Sequence, residues 1–300
     1  MEIMFYAKKN GAFVMIINPN DCDINKSFTK NIDWHITSKC NYRCKFCFIK
    51  GLEVGVTDIL DSKTILDRLK KLKIEKINIV GGEPLLYPFT YDIIKIAKRT
   101  GFVTSITTNG SLLTKSKIKM FSLYLDWIGL PVDSKYENIE REMGRGCGKH
   151  VQNVLKISEI IKEEGIKLKI NTTVTKLNFK ENMKPFIRKL DPDMWENFQV
   201  FNKKGQSDDN IKSLSISGEE FKHYTNLNKD LILRSGEKPV FERCEDMVSY
   251  FMISPDGDIL VKTNNIYQRY PLEYVEDNKY LECFISIKKY NQRNSNYQWN

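Results

Sequence analysis

Between residue 31 and about residue 202 the chain alternates strand-like and helix-like patterns six times, and this alternation limits its fold more than any other feature. Residues 32 to 37 alternate with period two, as a half-buried strand does. Residues 62 to 73 set Ile65, Leu66, Leu69 and Leu72 on one helical face, with lysines opposite and Ser62 as a candidate N-cap. Further strands are expected at 76–80, 103–108, 126–132, 167–174 and 195–201, and helices at 87–99, 115–123, 149–164 and 181–190, with Gly165 as the stop of the third of these helices. Six β-α repeats imply parallel strands joined by right-handed crossovers, in a barrel, part of one, or an open doubly wound sheet. In each case the chemistry belongs at the C-terminal ends of the strands. Cys40, Gly81-Gly82-Glu83, Asn109-Gly110, Asp133-Ser134 and Asn171 stand at five such ends.

The flanks read differently. Residues 1–30 form an N-terminal extension with a strand at 12–17, too short and too soon followed by Asp21 and Asp23 to be a signal peptide. Residues 203–300 form a C-terminal extension with a polar loop at 203–213, a helix at 217–227 and a hairpin turning at Pro255-Asp256-Gly257. Residues 286–300, rich in lysine, asparagine and tyrosine, are expected to order on substrate as part of a lid. No run of 18 apolar residues occurs, so no membrane segment is expected, and a cytoplasmic location is the default. Forty-seven basic against 38 acidic residues leave a formal charge of +9, which favours an anionic partner without naming it.

Seven cysteines, an odd number in a 300-residue chain, argue against a disulfide scaffold. Three of them, Cys40, Cys44 and Cys47, fall within eight residues just past a strand. A closed zinc site takes four ligands, and the nearest further candidate, His35, lies inside the strand. Three thiolates suit a [4Fe-4S] cluster with one iron left open to a cofactor or substrate; a zinc knuckle and a disulfide are the alternatives. Cys22, Cys147, Cys244 and Cys283 are scattered and read as buried or incidental thiols.

Cys-x3-Cys-x2-Cys with Phe46 before the last cysteine, Gly81-Gly82-Glu83-Pro84 after the second strand and Thr108-Asn109-Gly110 after the third together resemble the radical S-adenosylmethionine (SAM) superfamily. The resemblance implies a partial (β/α)6 barrel over 31–202, in which the open iron chelates SAM and reductive cleavage gives a 5′-deoxyadenosyl radical. It implies that Gly81, Gly82 and Glu83 hold the methionine amino end, that Asn109 contacts ribose, and that Ser134 belongs to the cofactor site.

Several segments are similar to one branch, viperin and its prokaryotic homologues: residues 40–48, 75–78, 105–112, 144–149, 169–171 and 195–199. Such enzymes remove the elements of water from a ribonucleoside triphosphate, giving a 3′-deoxy-3′,4′-didehydro nucleotide used in antiviral defence. The likeness implies CTP, UTP or GTP as substrate and an electron donor such as flavodoxin or ferredoxin, with no membrane and no stable nucleic-acid complex. It implies that Arg145 holds the SAM carboxylate, Lys169 a phosphate, and Asn171 a ribose hydroxyl or phosphate. His35 matches a histidine of the family's first strand, Lys176 is a further cation for the substrate, and Tyr250 is a candidate proton donor. Physics adds that Lys169 and Asn171, two apart on one strand, share a face. Gly144, Gly146 and Gly148 around Arg145 also let backbone amides approach an anion.

The chain departs from that branch at telling places. Met194-Trp195-Glu196 stands where vertebrate members carry Arg-Trp-Lys, whose cations are associated with phosphate; Pro131 replaces a serine and Asp33 an asparagine. Glu196 in the same place would repel a terminal phosphate. Another radical SAM enzyme acting on a peptide, RNA or a less charged nucleotide is the first alternative, and a redox sensor built on the cluster is the second.

Overall fold

The computed structural model describes residues 4–7, 13–16, 30–47, 49, 57–200, 212–244, 250–263 and 266–272. Cys22, Lys203, Lys204, Cys283 and the tail 286–300 lie outside them, as does most of the expected 203–213 loop.

The period-two pattern of residues 167–174 sorts one strand into two faces. In Lys167–Val174, Leu168, Ile170, Thr172 and Val174 are buried toward the helices, while Lys169, Asn171 and Thr173 are half-buried on the opposite face. The same division runs through the parallel strands β3 (Asn31–His35), β4 (Lys76–Val80), β5 (Val103–Thr107), β6 (Trp127–Pro131), β7 (Lys167–Val174) and β8 (Met194–Gln199), which lie side by side in chain order. Helices α1 (Ile59–Lys71), α2 (Thr90–Arg99), α3 (Lys115–Phe121), α4 (Glu137–Glu142), α5 (His150–Glu163) and α6 (Lys184–Leu190) connect them. Leu66, Leu69, Ile93, Ile94, Ala97, Val154 and Ile161 bury their helix faces against the sheet, each large aliphatic side chain contributing about 1.5–3 kcal/mol. Gly165, at φ +74, ends α5 by the left-handed turn that its lack of a Cβ permits.

The partial barrel is open. Strand β9 (Val240–Glu242) extends it in parallel beyond β8. At the other edge, β10 (Met252–Ile253) pairs in parallel with β3, followed by antiparallel β11 (Asp258–Thr263) and β12 (Ile266–Pro271), ten strands in all among the described residues. The C-terminal segment thus adds strands at both edges, with α7 (Gly218–Asn228) capped by the reciprocal Ser217–Glu220 box. The expected turn at Pro255-Asp256-Gly257 joins β10 to β11, with Gly257 at φ +88. An antiparallel pair, β1 (Met4–Ala7) and β2 (Phe13–Ile16), lies in the N-terminal extension.

Three boundaries differ from the sequence reading for local reasons. β3 stops at His35 because the Thr37 carbonyl leaves the ladder to accept the Gly82 amide at 2.7 Å. The second helix starts at Thr90, after a 3-10 turn at Pro84–Leu86 capped by the Glu83 carboxylate. Helix α4 has only Ile139 as an apolar residue in Glu137–Glu142, so no periodicity announces it. It is tied instead by Glu140, whose carboxylate accepts the amides of Asp133 and Ser134 at 2.7 and 2.9 Å.

Candidate functional site

The inward rows of the strands, together with the loops at their C-terminal ends, enclose one cavity of about 310 Å³. At its loop end stand Cys40, Cys44 and Cys47, Gly81 and Gly82, Asn109, Pro131 and Arg145; deeper lie Asp33, Lys76, Asn78, Lys169, Asn171 and Glu196. Phe198, Tyr250 and Met252 close the side where the edge strands join.

The cysteine loop is held from three directions. Gly82 and Glu83 donate their amides to the carbonyls of Thr37 and Lys39, each at 2.7 Å. A Cβ on Gly82 would stand 2.3 Å from the Lys39 carbonyl oxygen, so glycine is required by the closeness of the two backbones. On a second side, Asn109 donates its side-chain amide to Asn41 at 2.8 Å, and Asn41 donates to Ser111 at 2.9 Å. On a third, the amides of Arg43 and Lys45 bond the carbonyls of Gly144 and Met143. Gly144, at φ +82, leaves only 2.3 Å between an added Cβ and the Arg43 carbonyl oxygen. The Gly-Arg-Gly segment therefore braces the cysteine loop with backbone, in addition to carrying Arg145.

Glu83 does not line the cavity. It is fully buried and accepts from the Thr108 hydroxyl at 2.6 Å and from the amides of Asn109 and Leu85 at 2.7 and 3.0 Å. Burial pushes its pKa up, against the pull of these three bonds. Arg145 is buried, its Nε bonded to Asp133 at 2.6 Å with Glu140 at 3.5 Å. The two carboxylates and Cys44 hold its pKa above the usual value despite the burial. Burial pushes Cys44 up to about 12 and Cys40 upward as thiols. Tyr42 faces His150 edge-on, and the Nε2 of His150 bonds the Pro131 carbonyl at 2.7 Å. His35 lines the cavity and is neutral, its pKa driven down to about 3 by burial.

Most residues anticipated from the sequence meet at this cavity: Cys40, Cys44, Cys47, Gly81, Gly82, Asn109, Arg145, His35, Lys169, Asn171 and Tyr250. Two do not. Ser134 is fully buried behind the wall, its hydroxyl donating to Glu181 at 2.7 Å. Lys176 points to the outside, where its ammonium is paired with Glu220 on α7. Glu83 acts one layer back, as above. The Tyr250 hydroxyl donates to the buried Glu242 carboxylate at 2.7 Å. Sequence reading passed over Lys76 and Asn78, which face inward by the same period-two rule that found Lys169. Asn78 donates to Asp33 at 2.8 Å and accepts from Thr107 at 3.2 Å, a polar row across three strands.

The three thiols do not converge on one ion-sized point; among the described residues no three His, Cys, Asp or Glu side chains do. Each faces the cavity from its own place on the loop, as ligands to separate irons of a cluster must. The glycine turn opposite packs directly on that loop, where a Cβ on Gly81 or Gly82 would strike the Thr37 or Lys39 carbonyl oxygen, and so fixes the loop beside the cavity. The donor set therefore fits an iron–sulfur cluster.

Residues 34–190 match the Radical SAM superfamily. An S-adenosylmethionine-dependent nucleotide dehydratase of a Thermoplasmatales archaeon (strain ISO4-H5) is 34% identical, over 94% of this chain and all of the relative. One from Flammeovirga pacifica is 34% identical, over 90% of this chain and 96% of the relative. Among solved structures, Streptococcus suis SuiB bound to S-adenosylmethionine superposes with a TM-score of 0.63 at 18% identity, over 90% of this chain and 68% of that one, a likeness of fold alone.

Proposed function

We propose, because the chain belongs to the radical SAM superfamily, that this cavity removes the elements of water from a nucleotide, as its 34%-identical relatives are named for doing. The observation that carries the reading is the meeting of three cysteines, a glycine turn and an inward polar face on a single cavity.

The cofactors are a [4Fe-4S] cluster and SAM. When bound, they supply a one-electron reductive cleavage that yields a hydrogen-abstracting carbon radical. Cys40, Cys44 and Cys47 would hold the cluster. With the amides of Gly82 and Glu83 already given to the cysteine loop, the turn would have its carbonyl oxygens to offer a methionine ammonium, the acceptors an ammonium needs. Arg145 spends Nε on Asp133 and keeps its outer nitrogens for a carboxylate. His35, neutral, offers hydrogen bonding without charge. Lys169 and Asn171 face the substrate. Tyr250 is assigned as proton donor to the departing hydroxyl: its O–H, held by the Glu242 carboxylate, would turn to the substrate to give the proton, which solvent replaces after turnover. The apolar side chains of Phe198 and Met252 exclude water from the radical.

Cytidine, uridine and guanosine nucleotides are the first substrates to try, and a low-potential protein such as flavodoxin or ferredoxin the electron donor. No helix among the described residues is long and apolar enough to cross a membrane. We place the protein in the cytoplasm, where thiols stay reduced. The test is anaerobic incubation of cluster-loaded protein with SAM, reductant and each nucleotide. Formation of 5′-deoxyadenosine that depends on one nucleotide, with a product lighter by one water, is the expected result. Failure of every nucleotide to stimulate would overturn the reading.

A further inference from the structure

At the deep end of the cavity the Lys169 ammonium does not stand alone. Lys169 pairs in register with Met194 and Asn171 with Glu196, so Glu196 lies diagonally across the β7–β8 ladder from Lys169. Their charged groups meet at 2.6 Å, with the two side chains only 14% and 4% exposed. Among the described residues, the charged side chains on the cavity wall are Asp33, Lys76, Arg145, Lys169 and Glu196, besides the cysteines. Arg145 belongs to the loop end and is matched by Asp133 and Glu140. Among the described residues that leaves two lysines against two carboxylates, with no surplus of positive charge for a polyanion. Lys76 is 4% exposed, and burial, with Lys169 beside it, lowers its pKa well below the usual lysine value.

A second observation concerns hydrogen-bond sense. The side-chain oxygen of Asn171 is buried without a hydrogen-bond partner. It stands next in register to the Glu196 carboxylate. A buried acceptor beside a carboxylate calls for a donor from the ligand, a hydroxyl or an amine. Phosphate oxygens at neutral pH are acceptors and do not satisfy the Asn171 oxygen. Each further phosphate adds negative charge next to a carboxylate in a low-dielectric cavity.

We propose that Glu196 sets the charge of the substrate: by closing Lys169 into an ion pair beside Asn171, it makes this end of the cavity a site for hydroxyl donors and selects a nucleotide with one or two phosphates over the triphosphate. The inference rests on the nucleotide dehydratase reading. It assigns to Glu196 the discrimination that a cation at this place would reverse.

Calorimetric titration of the cluster-loaded protein in excess SAM, with the mono-, di- and triphosphates of cytidine, uridine and guanosine, reads the selection directly. Nucleotide-dependent 5′-deoxyadenosine formation reads it a second way. For the preferred base, the mono- or diphosphate should bind at least about tenfold more tightly than the triphosphate. Glu196→Lys should remove or invert that ranking, and Lys169→Met, which leaves Glu196 in place, should widen it. Equal or tighter triphosphate binding by the unaltered protein, with or without magnesium, overturns the inference while leaving the dehydratase reading intact. An unchanged ranking in folded Glu196→Lys takes the role from Glu196; if that variant does not fold, the ranking in the unaltered protein and in Lys169→Met decides. If no nucleotide of any charge binds or stimulates, the dehydratase reading itself falls.

Discussion

The carboxylate of Glu83 accepts the backbone N–H of Asn109 at 2.7 Å, and this bond makes one unit of two loops that follow different strands. Its other oxygen takes the Thr108 hydroxyl and the Leu85 amide. The Gly81-Gly82 turn and the Asn109 loop therefore share an anchor, and Asn109 passes it on to the cysteine loop through Asn41. Removing the carboxylate strands three buried donors, each costing about 1–3 kcal/mol. Glu83→Ala should lower unfolding stability by on the order of 3 kcal/mol or more in urea titration, and Glu83→Gln by clearly less, since the amide oxygen keeps one acceptor. Equal losses in the two variants would remove the anchoring role.

Cys147 sits three residues past Gly144 yet is exposed, apart from the cavity wall that Cys40, Cys44 and Cys47 share. Anaerobic reconstitution should therefore give almost no bound iron or sulfide in Cys40→Ala, Cys44→Ala or Cys47→Ala, and an unaltered content in Cys147→Ser. Iron loss in Cys147→Ser would place it among the ligands.

Gly144→Ala tests the backbone brace. The new Cβ would lie 2.3 Å from the Arg43 carbonyl oxygen, at a φ of +82 that alanine rarely adopts. The cysteine loop must shift, so iron content after reconstitution should fall while far-UV circular dichroism, set by the distant helices and sheet, stays unchanged. Full iron loading would show that the loop does not depend on this contact.

How much of this was legible beforehand follows from what each pattern encodes. Period two and period 3.6 found the six strands and their crossovers because long apolar faces must be buried. The same period placed Lys169 and Asn171 in the cavity, and applied to β4 it would have placed Lys76 and Asn78. Helix α4 escaped because Glu140, a single side chain reaching back to two amides, does the work of an apolar face. Ser134 and Lys176 were misplaced because proximity in sequence to a strand end does not say which way a side chain turns: one turns to Glu181, the other to Glu220. Glu196 could be seen as a charge in a cation's place, but its 2.6 Å pairing with Lys169 is a contact between strands that no single-strand pattern contains.

Lys176 gives a direct comparison with Lys169. Its ammonium is half exposed and paired outside the barrel. Lys176→Met should leave nucleotide-dependent 5′-deoxyadenosine formation unchanged and cost no more than about 1 kcal/mol of stability. Lys169→Met should weaken nucleotide stimulation while SAM binding persists. Loss of stimulation in Lys176→Met would mean that the α7 side of the barrel contributes to substrate binding.

His150 makes the stability of this end of the barrel depend on pH. Its pKa is pushed down to about 4, first by burial and then by Arg145, whereas an unfolded imidazole titrates near 6.5. Below pH 6.5 the unfolded chain takes up a proton that the folded chain refuses. The stability that neutral His150 contributes is complete above pH 6.5 and is lost as pH falls toward 4, about 3 kcal/mol in total. His35, lowered to about 3, acts in the same sense, while Glu83 and Glu140, raised by burial, act in the opposite sense above their unfolded values. The share of His150 is therefore read as a difference. His150→Gln keeps a donor for the Pro131 carbonyl and has no proton to gain. Urea unfolding at pH 7 and at pH 4.5 should show the stability gap between the unaltered protein and the variant narrowing by about 2–3 kcal/mol at the lower pH. A gap that stays constant would mean that this imidazole does not hold its neutral form in the folded chain.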